Sequence, residues 1–102
     1  MEESLGPFQV DHVFSALQQV RSLAERAKQT GSSQPLKDAL REVLDACQNR
    51  PLEWGDPLRK TKHEGGVVCR GICQPLIVEY AVFEKERSVI ILKVSPFPNL
   101  GL

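Results

Sequence analysis

An α+β fold, with a small antiparallel-meander sheet packed on a helical hairpin in the order β-α-α-β-β-β, is what this sequence predicts. Three observations predict it. Apolar residues recur at steps of three and four between Val13 and Cys47, the period of a helix. The pattern changes after Gly66 to runs rich in Val, Ile, Leu and Tyr, the composition of strands. The gaps between those runs, Gln74-Pro75 and Glu84-Lys85-Glu86-Arg87, are so short that the strands they join must be antiparallel neighbours.

Each element follows in turn. Pro7-Phe8-Gln9-Val10-Asp11-His12-Val13 alternates apolar and polar, with Pro7 tolerated at the edge, and predicts a short first strand. Val13, Leu17, Val20, Ala24 and Ala27 form one stripe on a first helix. Thr30 to Gln34 is a turn containing the stop residue Gly31. Pro35 suits a helix start, and Leu36, Leu40, Val43, Leu44 and Cys47 form the second stripe. Asn49-Arg50-Pro51 ends that helix. Leu52 to Gly66, broken by Gly55, Pro57 and Gly65, reads as an irregular loop. Val67–Cys73, Leu76–Phe83 and Ser88–Val94 are the three meander strands. A chain of 102 residues fits one domain, residues 1–102, with a core over 8–95 and loose ends at 1–6 and 96–102.

Composition narrows the function. The 13 Lys and Arg balance 13 Asp and Glu, which argues against a strongly cationic nucleic-acid binder without excluding a local basic patch. No apolar run approaches the roughly 20 residues of a membrane span. Met1-Glu2-Glu3-Ser4 is acidic where an export signal is basic, so the expected compartment is the cytoplasm. Three cysteines, Cys47, Cys69 and Cys73, make a poor disulfide framework, and they read as small packing residues. Cys69 and Cys73 on one strand lie about 13 Å apart, too far to share a metal without a bend. No metal or cofactor is expected. Gly-rich phosphate loops, His-x-x-x-His pairs and Gly-x-Ser-x-Gly elbows are missing from the sequence.

Charge is distributed unevenly. Residues 1–58 hold 6 basic and 9 acidic side chains, and residues 59–102 hold 7 basic and 4 acidic. The excess gathers at Arg59, Lys60, Lys62 and Arg70, with His63 beside them. Such a cluster reads either as a phosphate-facing patch or as a solvated basic loop. Arg70 has a second reading, an ion pair with Glu79 across the hairpin. His63 has the titration range of a general acid/base. Tyr80 reads as a packed strand aromatic or a proton donor. Trp54 reads as an anchor for the loop or a platform for a base.

The phrases Trp54-Gly55-Asp56-Pro57-Leu58, Gly66-Val67-Val68-Cys69-Arg70-Gly71, Pro75-Leu76-Ile77-Val78-Glu79-Tyr80-Ala81-Val82 and Arg87-Ser88-Val89-Ile90-Ile91-Leu92-Lys93-Val94 stand in this order after two helices. In order and spacing they resemble the RelE/ParE toxin superfamily, which includes proteins labelled plasmid-stabilisation, over roughly residues 8 to 95. The resemblance implies the toxin half of a toxin–antitoxin pair in the bacterial cytoplasm, with a cognate antitoxin as partner. RelE-like members cut messenger RNA on the ribosome, and ParE-like members poison DNA gyrase.

In the RNA-cutting branch a ribose 2′-hydroxyl attacks the next phosphate, which needs cations and a group that moves protons. The resemblance assigns Arg59, Lys60 and Lys62 to RNA phosphate binding. It assigns Arg70 to charge stabilisation and Tyr80 or His63 to proton transfer. Two features depart from the family pattern. Ile77 stands where active members carry a further Arg, and Ser95 to Leu102 holds no Arg, Lys, His or Tyr. The sequence therefore leaves three readings open: an mRNA endoribonuclease, a gyrase inhibitor, and a non-catalytic interaction module that captures a partner peptide on the same scaffold.

Overall fold

The computed structural model describes residues 6–62 and 65–97. The chain runs β1 (Gln9–His12), α1 (Phe14–Thr30), α2 (Ser33–Asn49), α3 (Pro51–Trp54), β2 (Asp56–Lys60), β3 (Gly66–Cys73), β4 (Leu76–Phe83) and β5 (Ser88–Pro96). The helical hairpin and the three-strand meander are as the sequence predicts. The two meander turns fall at Gln74-Pro75 and at 84–87.

One sheet of five strands holds the order β1-β5-β4-β3-β2. The four strands β2 to β5 pair antiparallel, whereas β1 pairs parallel to β5, from Gln9 opposite Ser88 to His12 opposite Ile91. A parallel pair needs a long crossover, and the helical hairpin lies within it. Arg87 secures the junction: its guanidinium lies 4.0 Å over the Phe8 ring, and its carbonyl accepts from Gln9 N–H at 2.8 Å.

The loop expected over 52–66 is corrected. Pro51 opens the single turn α3, and Asp56–Lys60 is a strand, paired from Asp56 opposite Arg70 to Lys60 opposite Val67. Its five residues are all exposed, so no apolar alternation announces it. Backbone pairing to β3 makes it a strand. Pro57, the bulge between Pro57 and Arg59, and the basic side chains suit an edge that must not recruit another sheet. The C-terminal boundary also shifts. Pro96 belongs to β5, and Phe97 N–H donates to the Pro75 carbonyl at 2.7 Å. Residues 1–5 and 98–102 lie outside the described residues.

The helices cover one face of the sheet. Leu76, Val78, Tyr80, Val82 and Val89 are fully buried beneath them. The α1 stripe is rotated from its expected setting: Ala16, Leu23 and Ala27 are the buried positions, and small Ala side chains let the helix approach the strands. Leu17 and Val20 are left on its flank. In α2, Leu36, Ala39, Val43, Ala46 and Cys47 are buried, while Leu44 is 46% exposed. Gly31 closes α1 at φ 70°, a left-handed conformation that glycine adopts without the penalty a Cβ brings.

Candidate functional site

The two faces of the sheet divide the candidate residues. Directly paired residues of an antiparallel sheet share a face. Arg70 stands opposite Glu79, and Glu79 opposite Lys93. Asp56 stands opposite Arg70 on the other side. The open face thus carries a row Asp56–Arg70–Glu79–Lys93 of alternating sign across four strands. Arg70 Nη2 donates to Glu79 Oε2 at 3.3 Å. The Arg70 side chain is half exposed, so the pair contributes little to stability, about 0–1 kcal/mol. The guanidinium remains open to solvent and to a ligand.

Arg59 stands opposite Val68, two positions from Arg70 on β3, and so shares the open face. Lys60 stands opposite Val67, which packs on the core, and so leaves the edge strand on the helix side, and Lys62 follows it, exposed. Arg59, Lys60 and Lys62 therefore line one border of the sheet, with Arg70 one strand inward. His63 lies outside the described residues.

Tyr80 belongs to the other face. It stands opposite Cys69 and Ile91, fully buried under the helices. Its hydroxyl donates to the Pro51 carbonyl at 2.6 Å and accepts from Gly55 N–H at 2.9 Å. The Trp54 ring stacks on it, with centroids 5.5 Å apart and planes 20° off parallel. Burial pushes the Tyr80 phenol well above its ordinary value. The structure thus places Tyr80 and Arg70 on opposite faces of the sheet. The hydroxyl ties α3 and the start of β2 to the sheet, using both of its ordinary hydrogen-bond roles. Trp54 anchors its segment, as one sequence reading has it, although it lies against a strand residue.

Cys47 and Cys69 are buried and Cys73 is partly so. Burial pushes the Cys47 thiol from 9.0 up to about 12, with Cys69 adding to the effect. A thiol whose folded pKa is raised keeps its full stabilising contribution below the unfolded value. That contribution falls as pH rises from 9 toward 12. Unfolding free energies measured across that window are expected to decline, by about 1.4 kcal/mol per pH unit for this one group. Cys47→Ala is expected to flatten the decline. Among the described residues, no group of three or more His, Cys, Asp or Glu is placed to hold a metal. No described helix is long and apolar enough to cross a membrane.

No family model matches the sequence, and no curated protein does. Two solved structures match the fold. One is a chain of the toxin–antitoxin complex RelBE2 from Mycobacterium tuberculosis, at 20% identity and a TM-score of 0.64, covering 93% of this chain and 97% of that one. The other is a chain of the archaeal RelE–RelB complex from Pyrococcus horikoshii OT3, at 18% identity and a TM-score of 0.62, covering 90% of this chain and 97% of that one. The fold is that of the RelE toxins.

Within the RelE fold, the positions sequence reasoning missed are the outer members of the charged row, Asp56 and Lys93. Lys93 was not legible, because the 84–87 turn alone would set Leu92 opposite Glu79, and a bulge between Glu79 and Tyr80 shifts the partner to Lys93. Asp56 was hidden too, because the strand that carries it has no apolar signal. Ile77 lies on the same face as Arg70, Glu79 and Lys93, opposite Ile72 and Ser95, so an apolar patch adjoins the charged row.

Proposed function

We propose that this chain is the toxin-type half of a toxin–antitoxin pair, and that its target surface is the basic border formed by Arg59, Lys60, Lys62 and Arg70. The observation that carries the reading is the fold match over nearly the whole length of both chains, to partners crystallised in toxin–antitoxin complexes. The border supplies what a polyanion needs: three exposed cations in a run of four residues, and an open-face Arg beside them. On an RNA target, Lys60 and Lys62 hold phosphates, and Arg59 and Arg70 stabilise charge on the attacked phosphate. His63, next to Lys62 in the sequence, is the residue proposed to move the proton.

A second reading is binding without cutting. Two observations favour it: the Tyr80 hydroxyl is committed to Pro51 and Gly55, and Ile77 puts an apolar side chain beside Arg70 on the open face. On that reading the chain holds a protein target, DNA gyrase or another partner, and cleaves nothing.

Growth after tight induction in a bacterial host separates the readings, measured beside a variant with Arg59, Lys60, Lys62 and Arg70 all changed to Ala. Arrest by the native chain and not by the variant is the expected result. Purified chain is expected to bind single-stranded RNA with a log-affinity slope against log salt of about −3, and the variant with a slope near zero. Arrest with gyrase inhibition and no RNA binding would assign the protein-target reading. Normal growth with soluble, folded protein would overturn the toxin role.

A further inference from the structure

The sheet face turned away from the helices carries the row Asp56–Arg70–Glu79–Lys93, one residue from each of β2, β3, β4 and β5, alternating in sign. We propose that this open face is a two-fold interface between two copies of this chain, which covers Arg70 while the copies are paired. The interface goes beyond the reading above and stands without it. Only its consequence, that pairing shields an RNA-binding arginine, rests on that reading.

Symmetry sets the pairing. A two-fold contact puts one patch against itself, so the patch must complement its own rotated image. A two-fold axis that runs parallel to the strands, between β3 and β4, sets β2 over β5 of the second copy and β3 over its β4. Asp56 then meets Lys93 of the second copy, and Arg70 meets Glu79 of the second copy. The rotation repeats both contacts, so four pairs of opposite sign form. An axis across the strands would instead set every charge against its own kind. Face-packed sheets keep their strand directions within about 30° of each other, which the first axis satisfies.

The rest of the face agrees with that axis. Ile72 stands opposite Ile77, next to the charged row along β3 and β4. The rotation lays Ile72 on Ile77 of the second copy, and the four side chains gather over the axis. Ile72 is 53% exposed in the single chain, so it gains cover. On the other side of the row, Asp11 of β1 shares the open face with Ile90. The rotation carries it just past β2, beside Arg59 of the other copy. At the turn end of the sheet, Glu84 and Glu86 line a hollow with Gly65. They come to lie over the connection from β2 to β3 in the other copy, which carries Lys62. Asp11, Arg59, Lys62, Glu84 and Glu86 are all exposed.

Size and net charge permit the pairing. Five strands about 4.8 Å apart give a face of roughly 500 Å², so two copies bury about 1,000 Å², the lower limit of a specific interface. The dimer therefore stands in equilibrium with its monomer. The 13 cations of the chain equal its 13 anions, so two copies carry no net repulsion. A polyanion fits the row poorly, because two of its four members are acidic. RNA reaches Arg70 only on the monomer.

Sedimentation equilibrium of the full chain, from about 1 μM to about 1 mM, tests the interface. A dimer that forms with concentration and weakens with added salt is expected. Arg70→Glu and Glu79→Arg, each alone, make two like-charge contacts and are expected to weaken self-association about a hundredfold. Mixed in equal amounts, the two variants complement each other and are expected to form a heterodimer of near-native affinity, a rescue that damage to the fold cannot produce. Asp56→Lys and Lys93→Asp are a second couple with the same expected behaviour. Both of those positions are exposed, so these variants should fold, which circular dichroism checks. A native chain that stays monomeric, single variants that dimerise like the native chain, or mixtures that form no heterodimer would overturn the proposal. Single-stranded RNA is expected to shift the native dimer to monomer, and RNA bound to an intact dimer would overturn the covering of Arg70. Growth arrest is read separately. Arrest by a chain that never dimerises sinks the inference alone, and a dimer without arrest sinks the toxin role alone.

Discussion

Tyr80→Phe is expected to lower folding stability by about 2–3 kcal/mol and the melting temperature by about 10–20 °C. The substitution removes one oxygen and keeps the ring, so the stack with Trp54 survives. What it leaves is the Pro51 carbonyl without its donor and the Gly55 N–H without its acceptor. Both are in the interior, where an unpaired backbone group carries its full desolvation cost. Chemical denaturation of the purified variant measures the loss. The same variant separates two roles. A tyrosine that moves a proton would lose activity at unchanged stability, whereas a structural tyrosine loses stability first. Arrest in the growth assay, scored at matched levels of folded protein, is expected to persist in Tyr80→Phe.

The sequence made the fold legible because its periodicities are clean where burial is one-sided. The helical steps through Leu36, Val43 and Cys47 and the alternation through Val78, Tyr80 and Val82 each report a face pressed on the core. The short turns at Gln74-Pro75 and 84–87 then fix which strands are neighbours. Asp56–Lys60 stayed hidden because all five side chains are exposed, so the strand exists through backbone pairing that no residue pattern records. The parallel pairing of β1 was equally silent, since four residues alternating once look the same beside any partner.

The candidate site was half legible. The basic cluster can be read from composition alone. Which face each member occupies depends on register, and register was decided for Arg70 and Glu79 by a two-residue turn but left open for Arg59 by the bulge before it. Tyr80 shows the limit most plainly. Residues that share a sequence neighbourhood with a site can point to the opposite side of the sheet. Arg70 on β3 and Tyr80 on β4 are ten positions apart, and the pairing register across the hairpin, not that distance, decides the face of each.

Gly71→Ala is expected to be similarly damaging, at about 3 kcal/mol, through a different route. Gly71 lies on β3, and a Cβ built there would overlap the six-membered ring of Trp54. The indole cannot simply slide aside, because its other contact is the stack on Tyr80. Either the strand bends or Trp54 leaves its place, and the stack goes with it. The route makes a sharp claim about coupling. In a Trp54→Ala background the ring is gone, and Gly71→Ala should cost almost nothing, since Ala suits a strand better than Gly does. A double-mutant cycle is therefore expected to return a coupling of about 2 kcal/mol or more. Additive losses would mean that the glycine serves some other contact. The consequence reaches the basic border as well. Trp54 ends α3 two residues before β2 begins at Asp56, so releasing the ring unfastens the segment that positions Arg59 and Lys60. Gly71→Ala should thus weaken RNA binding and growth arrest beyond what its folded fraction explains, and Trp54→Ala should do the same, although neither residue belongs to the charged surface.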